Sequence, residues 1–188
     1  MIYYAGIGSR DTPAEILILM ENVAKYLATQ HCILRSGGAN GADTAFYNGC
    51  KNIKNASEIY LPWKNFNNIE SKYSEPSEAA MKLAMKYHPA WEKLSQGAKK
   101  LQARNCYQLL GNDLKTPSKF VLCYTKEGKV IGGTGQALRM AIDYNIPIFN
   151  MGEEKDINIV KSKLWIFLKD QFPQQTKKVV KKIENERC

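Results

Sequence analysis

Three glycine-rich turns, each placed where an apolar β-like run gives way to a helical pattern, constrain this chain most strongly. They are Gly6-Ile7-Gly8-Ser9-Arg10, Ser36-Gly37-Gly38-Ala39-Asn40-Gly41 and Gly132-Gly133-Thr134-Gly135. Glycine lets the backbone turn tightly and approach a ligand closely, and the first amides of a helix attract anions. The turns therefore predict a binding site for phosphate.

Apolar periodicity predicts strands and helices in alternation along the chain. Short β-rich runs occur at residues 2–7, 31–34, 58–61, 120–124 and 146–150. Helical patterns begin near residue 14 and after the second glycine turn, cover residues 77–87 and 97–110, begin again at the third turn, and cover residues 156–170. On the fifth helix we assign Ala137, Leu138, Ala141 and Ile142 to the core. The alternation predicts an α/β fold with a parallel sheet and helices on both faces, and it brings the three turns to the carboxyl edge of the strands.

Length and charge favour a single domain with a basic tail. We predict a domain at residues 1–172 and a tail at residues 173–188. The net charge of +9 invites a nucleic-acid partner, but from Lys155 onward there are nine Lys or Arg against four Asp or Glu. Since more than half of the excess is C-terminal, a solvated tail is favoured over a nucleic-acid groove. No signal segment and no apolar run near ~20 residues is found, so we expect a cytoplasmic protein without a membrane partner.

Cysteine and histidine are too scattered to indicate a metal centre. The five cysteines include no Cys-x-x-Cys pair, and His31 and His88 lie far apart. We therefore predict free thiols, no metal site and no cofactor. None of the turns has the Gly-x-x-x-x-Gly-Lys-Ser/Thr spacing of a P-loop, and the first lacks the dinucleotide fingerprint, so a Walker-type NTPase and NAD-dependent hydride transfer are disfavoured.

The predicted helix at residues 97–110 carries a mainly polar row. Its members follow the spacing i, i+3, i+4 and i+7, and therefore share one face: Leu101, Arg104, Asn105 and Gln108. Such a row either lines a pocket with hydrogen-bonding groups or forms an ordinary solvated face. The sequence leaves both interpretations open.

A long connection at residues 62–68 is rich in asparagine and aromatic residues and has no clear period. Long connections between regular elements are often functional loops. Trp63 or Phe66 either stacks on a base of a ligand or pins the loop to the core, and both interpretations stay open.

Together the three turns resemble the SLOG superfamily, which unites the Rossmann domain of DNA-processing protein A, the Lonely Guy cytokinin-activating phosphoribohydrolases and nucleotide-sensing domains of bacterial immune systems. Within it, the chain is most similar to the small DprA-like proteins of phage genomes, over residues 2–150. The resemblance implies a Rossmann-like three-layer sandwich, a nucleotide-derived ligand, and a homodimer or larger assembly.

Residues at the third turn separate binding from catalysis. The phosphoribohydrolases are similar in having Pro-Gly-Gly-x-Gly-Thr-x-x-Glu, together with a catalytic arginine on a preceding helix that Arg104 could match. This chain has Ile131 for the proline, Gln136 for the threonine and Arg139 for the glutamate. Glycosidic cleavage passes through an oxocarbenium-like cation, which a guanidinium opposes. The resemblance therefore implies a ligand that is held intact, unless Asp43 supplies the missing acid.

Our sequence-based hypothesis is a protein that binds a phosphorylated nucleotide-derived molecule, such as a cyclic nucleotide or an ADP-ribose-type signal, and that in a phage would sequester an immune signal. The alternatives are a nucleoside 5′-monophosphate phosphoribohydrolase, with Arg104 and Asp43 as catalytic residues, and single-stranded DNA binding like that of DNA-processing protein A. The predicted ligand-binding residues are Gly8, Ser9, Arg10, Arg35, Ser36, Gly37, Gly38, Asn40, Asp43, Arg104, Asn105, Gln108, Gly132, Gly133, Thr134, Gly135, Gln136 and Arg139. Among these, the arginines are expected to clamp phosphate, and Asn105 and Gln108 to contact a base edge.

Overall fold

The computed structural model describes residues 1–172, so the predicted tail at residues 173–188 lies outside the described residues. The strands are β1 (Ile2–Gly8), β2 (Cys32–Ser36), β3 (Ser57–Leu61), β4 (Tyr73–Ser74), β5 (Phe120–Tyr124) and β6 (Ile148–Asn150). The α-helices are α1 (Ala14–Thr29), α2 (Ala42–Cys50), α3 (Glu78–Tyr87), α4 (Gln96–Leu110), α5 (Gly132–Asp143) and α6 (Ile157–Gln171). Among these helices, none is long and apolar enough to cross a membrane.

All six strands form one parallel sheet in the order β4-β3-β2-β1-β5-β6. The chain first steps from β1 through β2 and β3 to one edge, and then returns to pair β5 with the free side of β1. In an open α/β sheet, such a reversal of strand order opens a crevice at the carboxyl ends of the strands. The predicted parallel α/β fold is therefore confirmed, and it locates the crevice between β1 and β5.

Helices cover both faces of the sheet and give it two apolar layers. One core cluster joins α1, α2 and α6 to the sheet, and the other joins α3, α4 and α5 to the opposite face. Successive side chains of a strand point to opposite faces of the sheet, and in β1 Tyr4 belongs to the first cluster and Ala5 to the second. The Rossmann-like three-layer arrangement is thus confirmed.

Two details differ from the sequence-based prediction. The edge strand β4 was not predicted, because two residues are too few for a periodic signal; it pairs with Tyr60 and Leu61 of β3. Ile142, which was assigned to the core, is 59% exposed, whereas Met140 is fully buried. Each helical residue advances about 100° around the axis, so Ile142 falls beyond the apolar face that Ala141 still belongs to.

Candidate functional site

A cavity of about 460 Å³ opens where the strand order reverses, beyond the carboxyl ends of β1 and β5. Its volume lies within the roughly 300–1,000 Å³ typical of small-molecule sites. The residues that line this switch-point cavity are Ile7, Gly8, Ser9, Arg10, Asp11, Ala39, Asp43, Leu101, Gln102, Arg104, Asn105, Gln108, Thr125, Lys126, Ile131, Gly132, Gly133, Thr134 and Ala137. All three glycine turns therefore meet at one cavity, with α4 as its opposite wall.

The predicted ligand-binding residues divide into two groups. Those that line the switch-point cavity are Gly8, Ser9, Arg10, Asp43, Arg104, Asn105, Gln108, Gly132, Gly133 and Thr134. Those that lie outside its lining are Arg35, Ser36, Gly37, Gly38, Asn40, Gly135, Gln136 and Arg139. The second group supports the cavity or the surrounding fold, as their contacts show.

The turn after β1 is held by its own hydrogen bonds. The amide of Ser9 donates to the Tyr124 carbonyl at 3.0 Å, which ties the turn to the end of β5. The hydroxyl of Thr12 donates to the Ser9 carbonyl at 2.8 Å, and the Ser9 hydroxyl accepts from the amide of Asp11 at 3.1 Å. The backbone of the turn is therefore fixed, while Arg10 is exposed at the cavity rim.

A buried ion pair joins α2 to α4 at the cavity wall. The Nη1 atom of Arg104 lies 3.1 Å from Oδ2 of Asp43, and that same carboxylate oxygen accepts from the Ala39 amide at 3.2 Å. Asp43 also stands in the first turn of α2, where a carboxylate satisfies the partial positive charge of the helix start. The negative charge of Asp43 is therefore compensated within the protein, by Arg104, the Ala39 amide and the start of α2.

Burial and ion pairing shift the pKa of each of these two residues in opposite directions. Burial raises the pKa of Asp43, and the Arg104 guanidinium opposes that shift. Burial lowers the pKa of Arg104, and Asp43 opposes it in turn. For each of the two residues, the charge of its partner is thus the main effect that opposes burial.

Gly37 is required by the path of the Arg104 side chain. A Cβ atom at Gly37 would lie 1.4 Å from Nη1 of Arg104 and 2.5 Å from Nε2 of Gln108. Such distances are far below any van der Waals contact, so only glycine lets both α4 side chains cross the second turn. Gly37 thus shapes the cavity wall without lining it.

The start of α5 forms a further part of the cavity wall, next to α4. Gly132, Gly133 and Thr134 are its first three residues, whose amides have no acceptor within a helix. No acidic residue stands in this first turn, in contrast to α2. The Nδ2 atom of Asn105 donates to the Gly133 carbonyl at 3.3 Å and to Oε1 of Gln136 at 3.1 Å, which holds this helix start against α4.

Three side chains of α4 that line the cavity carry buried polar atoms without a partner among the described residues. They are Oε1 of Gln102, Nε of Arg104 and Nε2 of Gln108. A buried polar atom without a hydrogen bond is costly, and native proteins rarely leave one so. All three belong to side chains of one wall, so this wall has unused hydrogen-bonding capacity for a polar ligand or ordered water.

Arg35 belongs to the sheet. It is 3% exposed; its Nε lies 2.9 Å from Oε2 of Glu58, and its Nη1 donates to the Thr116 carbonyl at 2.7 Å. Its guanidinium stacks on the ring of Tyr3 at 3.8 Å. These contacts engage two of the three guanidinium nitrogens and one face of the group. Arg35 therefore stabilises the fold.

Arg139 points towards the end of α3. Its Nε donates to the carbonyl of Tyr87 at 2.8 Å, and its Nη1 donates to the carbonyl of Val130 at 3.3 Å. A cation at a helix C-terminus is favourable because it meets free carbonyl groups. Arg139 therefore joins α3, α5 and the loop that precedes α5.

The remaining residues outside the lining stabilise the turns. The Ser36 hydroxyl donates to the Gly6 carbonyl at 2.7 Å, and the Oδ1 atom of Asn40 accepts from Asn67 at 3.4 Å. Gly38 has a φ of +67°, a conformation that glycine adopts readily. A Cβ at Gly135 would lie 2.8 Å from the backbone of Val130, so a side chain there has no room.

Sequence reasoning missed four polar residues of the cavity: Asp11, Gln102, Thr125 and Lys126. Gln102 lies three residues before Asn105, so the spacing that identified the α4 row also predicts it. Thr125 and Lys126 directly follow β5, at the edge where ligands of parallel sheets bind. Because β5 ends without a glycine, the glycine pattern does not indicate these two residues.

Metal ligands do not gather at this site. Within residues 1–172, no group of three or more His, Cys, Asp or Glu could hold a metal ion. The four cysteines of this part of the chain, Cys32, Cys50, Cys106 and Cys123, are buried free thiols. The expected absence of a metal or cofactor stays a prediction.

Solved structures with a similar fold support the assignment of this chain to the α/β class. DNA processing protein A from Helicobacter pylori, studied for its single-stranded DNA binding mode, matches with a TM-score of 0.54 and 19% identity, over 90% of this chain and 81% of its own. Two structures of the molybdenum cofactor carrier protein from Chlamydomonas reinhardtii match at TM-scores of 0.48 and 0.41, with 15% and 14% identity, over 80% and 89% of this chain and 76% and 98% of their own. No family model and no curated protein matches the sequence.

Proposed function

We propose that this chain binds an anionic, nucleotide-derived small molecule in the switch-point cavity and holds it without breaking it. The observation that carries the proposal is the α4 wall, where Gln102, Arg104 and Gln108 each keep a buried polar atom without a protein partner. The side chains that carry these atoms line a cavity of suitable size at the edge of the sheet where α/β proteins bind nucleotides.

The anionic group of the ligand is assigned to the start of α5. The amides of Gly132, Gly133 and Thr134 and the helix dipole attract negative charge there, and no acidic side chain of the first turn competes. Arg10 and Lys126 at the rim add two positive charges, against the one negative charge of Asp11. Phosphate is the group that this combination fits best, because it accepts several hydrogen bonds and carries charge.

The uncharged part of the ligand is assigned to α4. Gln102 and Gln108 offer amide groups that can donate and accept, as the edge of a nucleobase requires. Asn105 is already engaged with Gly133 and Gln136, so it supports the wall. Leu101 and Ala137 supply the apolar contact that a flat ring needs.

Binding without turnover follows from how the acids are used. Of the two acids among residues 1–172 that line the cavity, Asp43 is paired, because Arg104 and the Ala39 amide occupy its Oδ2 atom, and Asp11 is exposed on the turn after β1. Arg139 lies outside the cavity lining and contacts two backbone carbonyls. The buried carboxylate of the cavity wall is therefore already paired, and no acid stands at residues 132–139 of α5, where the phosphoribohydrolases have their glutamate.

Sequestration is the cellular role that suits a protein that binds but does not cleave. We propose further that the chain is a SLOG protein and that it is encoded by a phage. Its ligand would then be an immune signal, such as a cyclic nucleotide or an ADP-ribose-type molecule. Support for this step is the resemblance of the three turns together with the replacement of the catalytic glutamate by Arg139. We also expect a homodimer or larger assembly, which light scattering will test.

Calorimetric titration with AMP, cyclic AMP, ADP-ribose and a short deoxythymidine strand tests the proposal. We expect saturable binding of at least one small molecule, its recovery intact by chromatography after prolonged incubation, and weaker, steeply salt-dependent binding of the strand. Release of free base and ribose phosphate would instead establish the phosphoribohydrolase alternative. Preferential binding of the strand would establish the DNA-binding alternative, for which the DNA processing protein A fold is a precedent.

A further inference from the structure

We propose that Trp63 forms a second subsite, an aromatic platform on which a second base stacks, and that the ligand is a dinucleotide. The inference rests on the proposed function, since it extends the same cavity along α4. It concerns the loop between β3 and β4, which contributes no residue to the cavity lining. The exposed indole, its rigid support and its position beside α4 carry the argument.

The two aromatic residues of this loop have different environments. Phe66 is 7% exposed and packs in the core cluster of the sheet, whereas Trp63 is 37% exposed. Their rings meet edge to face, with centroids 5.0 Å apart and an interplanar angle of 88°. Phe66 therefore pins the loop, which leaves part of the Trp63 indole free to stack on a ligand.

Hydrogen bonds fix this loop against the second glycine turn. The Nδ2 atom of Asn67 donates to the Gly38 carbonyl at 2.9 Å and lies 3.4 Å from Oδ1 of Asn40. Asn65, Asn67 and Asn68 all adopt positive φ, which asparagine tolerates better than most residues. A platform held in this way loses little conformational entropy when a ligand binds.

Helix α4 connects Trp63 to the cavity. A Cβ at Gly97 would lie 3.8 Å from Cζ3 of Trp63, so the indole lies beside the first turn of α4. Four residues later, Leu101 lines the cavity, and Arg104 follows on the same face. At 1.5 Å per residue, Gly97 lies about 6 Å along the helix from Leu101, so the platform stands one turn beyond the cavity.

Charge beside this path fits a phosphate that links two nucleosides. Lys64 adjoins Trp63 in the loop and is exposed, and Lys100 lies three residues after Gly97 on α4. The Arg104 guanidinium, 6.0 Å from the ring of Phe66, lies on the same side, but its charge is paired with Asp43, so the two lysines are the cations available to the phosphate. A dinucleotide would thus have one base and a terminal phosphate in the cavity, and a second base on Trp63.

Two matched nucleotides test the inference. We compare AMP with the 5′-phosphorylated linear diadenylate pApA by calorimetry, using the wild type and the variants Trp63→Ala and Trp63→Phe. The diadenylate is expected to bind the wild type more tightly than AMP, and Trp63→Ala to weaken it roughly 5- to 150-fold, which is the loss of one base–aromatic stack. Affinity for AMP should stay within twofold, and Trp63→Phe should restore part of the diadenylate affinity.

Tryptophan fluorescence distinguishes base stacking on Trp63 from a merely structural role of this residue. The chain has three tryptophans, of which Trp91 is buried and Trp165, 43% exposed, contacts Tyr26. The diadenylate should quench the emission of the wild type and of Trp165→Phe, but not that of Trp63→Phe. AMP should quench little in any of them, because its single base occupies the cavity.

The outcomes separate this inference from the proposed function. If AMP binds but Trp63→Ala leaves the diadenylate affinity unchanged, or weakens both ligands equally, the second subsite is refuted and the proposed function stands. If the wild type binds neither nucleotide nor any other small molecule of the calorimetric panel, both are refuted. Tighter diadenylate binding that depends on Trp63 supports both.

Discussion

The Nη1 atom of Arg104 lies 3.1 Å from Oδ2 of Asp43, in a buried contact that joins two helices from opposite faces of the sheet. Helix α2 packs in one layer and α4 in the other, so the pair closes the structure beyond the carboxyl ends of the strands. The same contact forms part of the cavity wall. Stability of the fold and shape of the site are therefore coupled at these two residues.

Asp43→Ala is expected to lower the free energy of unfolding by about 3–5 kcal/mol, because it leaves the Arg104 charge buried without its partner. Urea denaturation measures the change. Glu78→Ala is the matched control, since it breaks an exposed pair with Lys82 that contributes about 0.5 kcal/mol or less. Equal losses for the two variants would contradict a buried, structurally important pair.

Two glycine-to-alanine substitutions should have opposite signs. Gly37→Ala places a methyl group on the path of the Arg104 guanidinium, so we expect a loss of about 1–3 kcal/mol from overpacking and a loss of ligand affinity. Gly97→Ala meets only the edge of Trp63 at an ordinary distance and should stabilise α4 by about 0.5–1 kcal/mol. Thermal unfolding compares them, and a stabilising Gly37→Ala would refute the clash.

The sequence predicted the parts of the site that depend on topology. Strand-to-helix junctions of a parallel sheet must share an edge, so Gly8 and Gly133 meet at one cavity although 125 positions separate them in the chain numbering. The row on α4 followed from helical spacing, and Arg104 and Gln108 both line the cavity. Fold-level rules were sufficient for these residues.

Side-chain direction could not be predicted from motifs alone. Arg35 adjoins the second glycine turn in sequence, but it pairs in register with Glu58 of β3, and the ion pair turns it away from the cavity. Recognising that partner requires the register of two strands, which apolar periodicity does not determine. Arg139 likewise depends on where α3 ends, a boundary that sequence patterns locate poorly.

Substitutions of two arginines should affect ligand binding and stability separately. Arg10→Met removes an exposed cation from the cavity rim and should weaken AMP roughly 10-fold or more, as the loss of a charge-assisted hydrogen bond does, with little effect on unfolding. Arg35→Met should instead lower the free energy of unfolding by about 3 kcal/mol and leave the affinity of the folded protein within twofold. Calorimetry and urea denaturation of both variants provide the test, and the reverse pattern would contradict it.

Gln102→Met should weaken the ligand without weakening the fold. The Oε1 atom of Gln102 is buried without a partner among residues 1–172, so replacing the amide with an apolar chain of similar size removes an unfavourable group from the unliganded protein. We expect unchanged or slightly higher stability and a roughly 2- to 10-fold loss of AMP affinity. Unchanged affinity would show that the ligand does not contact this amide.

Alkaline pH should reveal the burial of Cys106. Its thiol lies in the α4 layer, where burial raises the pKa from 9.0 to about 12. Between pH 9 and 11 the unfolded chain therefore releases a proton that the folded protein keeps, and stability falls by about 1.4 kcal/mol per pH unit from this group. In Cys106→Ala the fall over this interval should be smaller by about 2.5 kcal/mol, although that variant starts from a lower stability. Urea denaturation at pH 8, 9, 10 and 11 measures both curves, and parallel curves would show that the thiol titrates equally in both states.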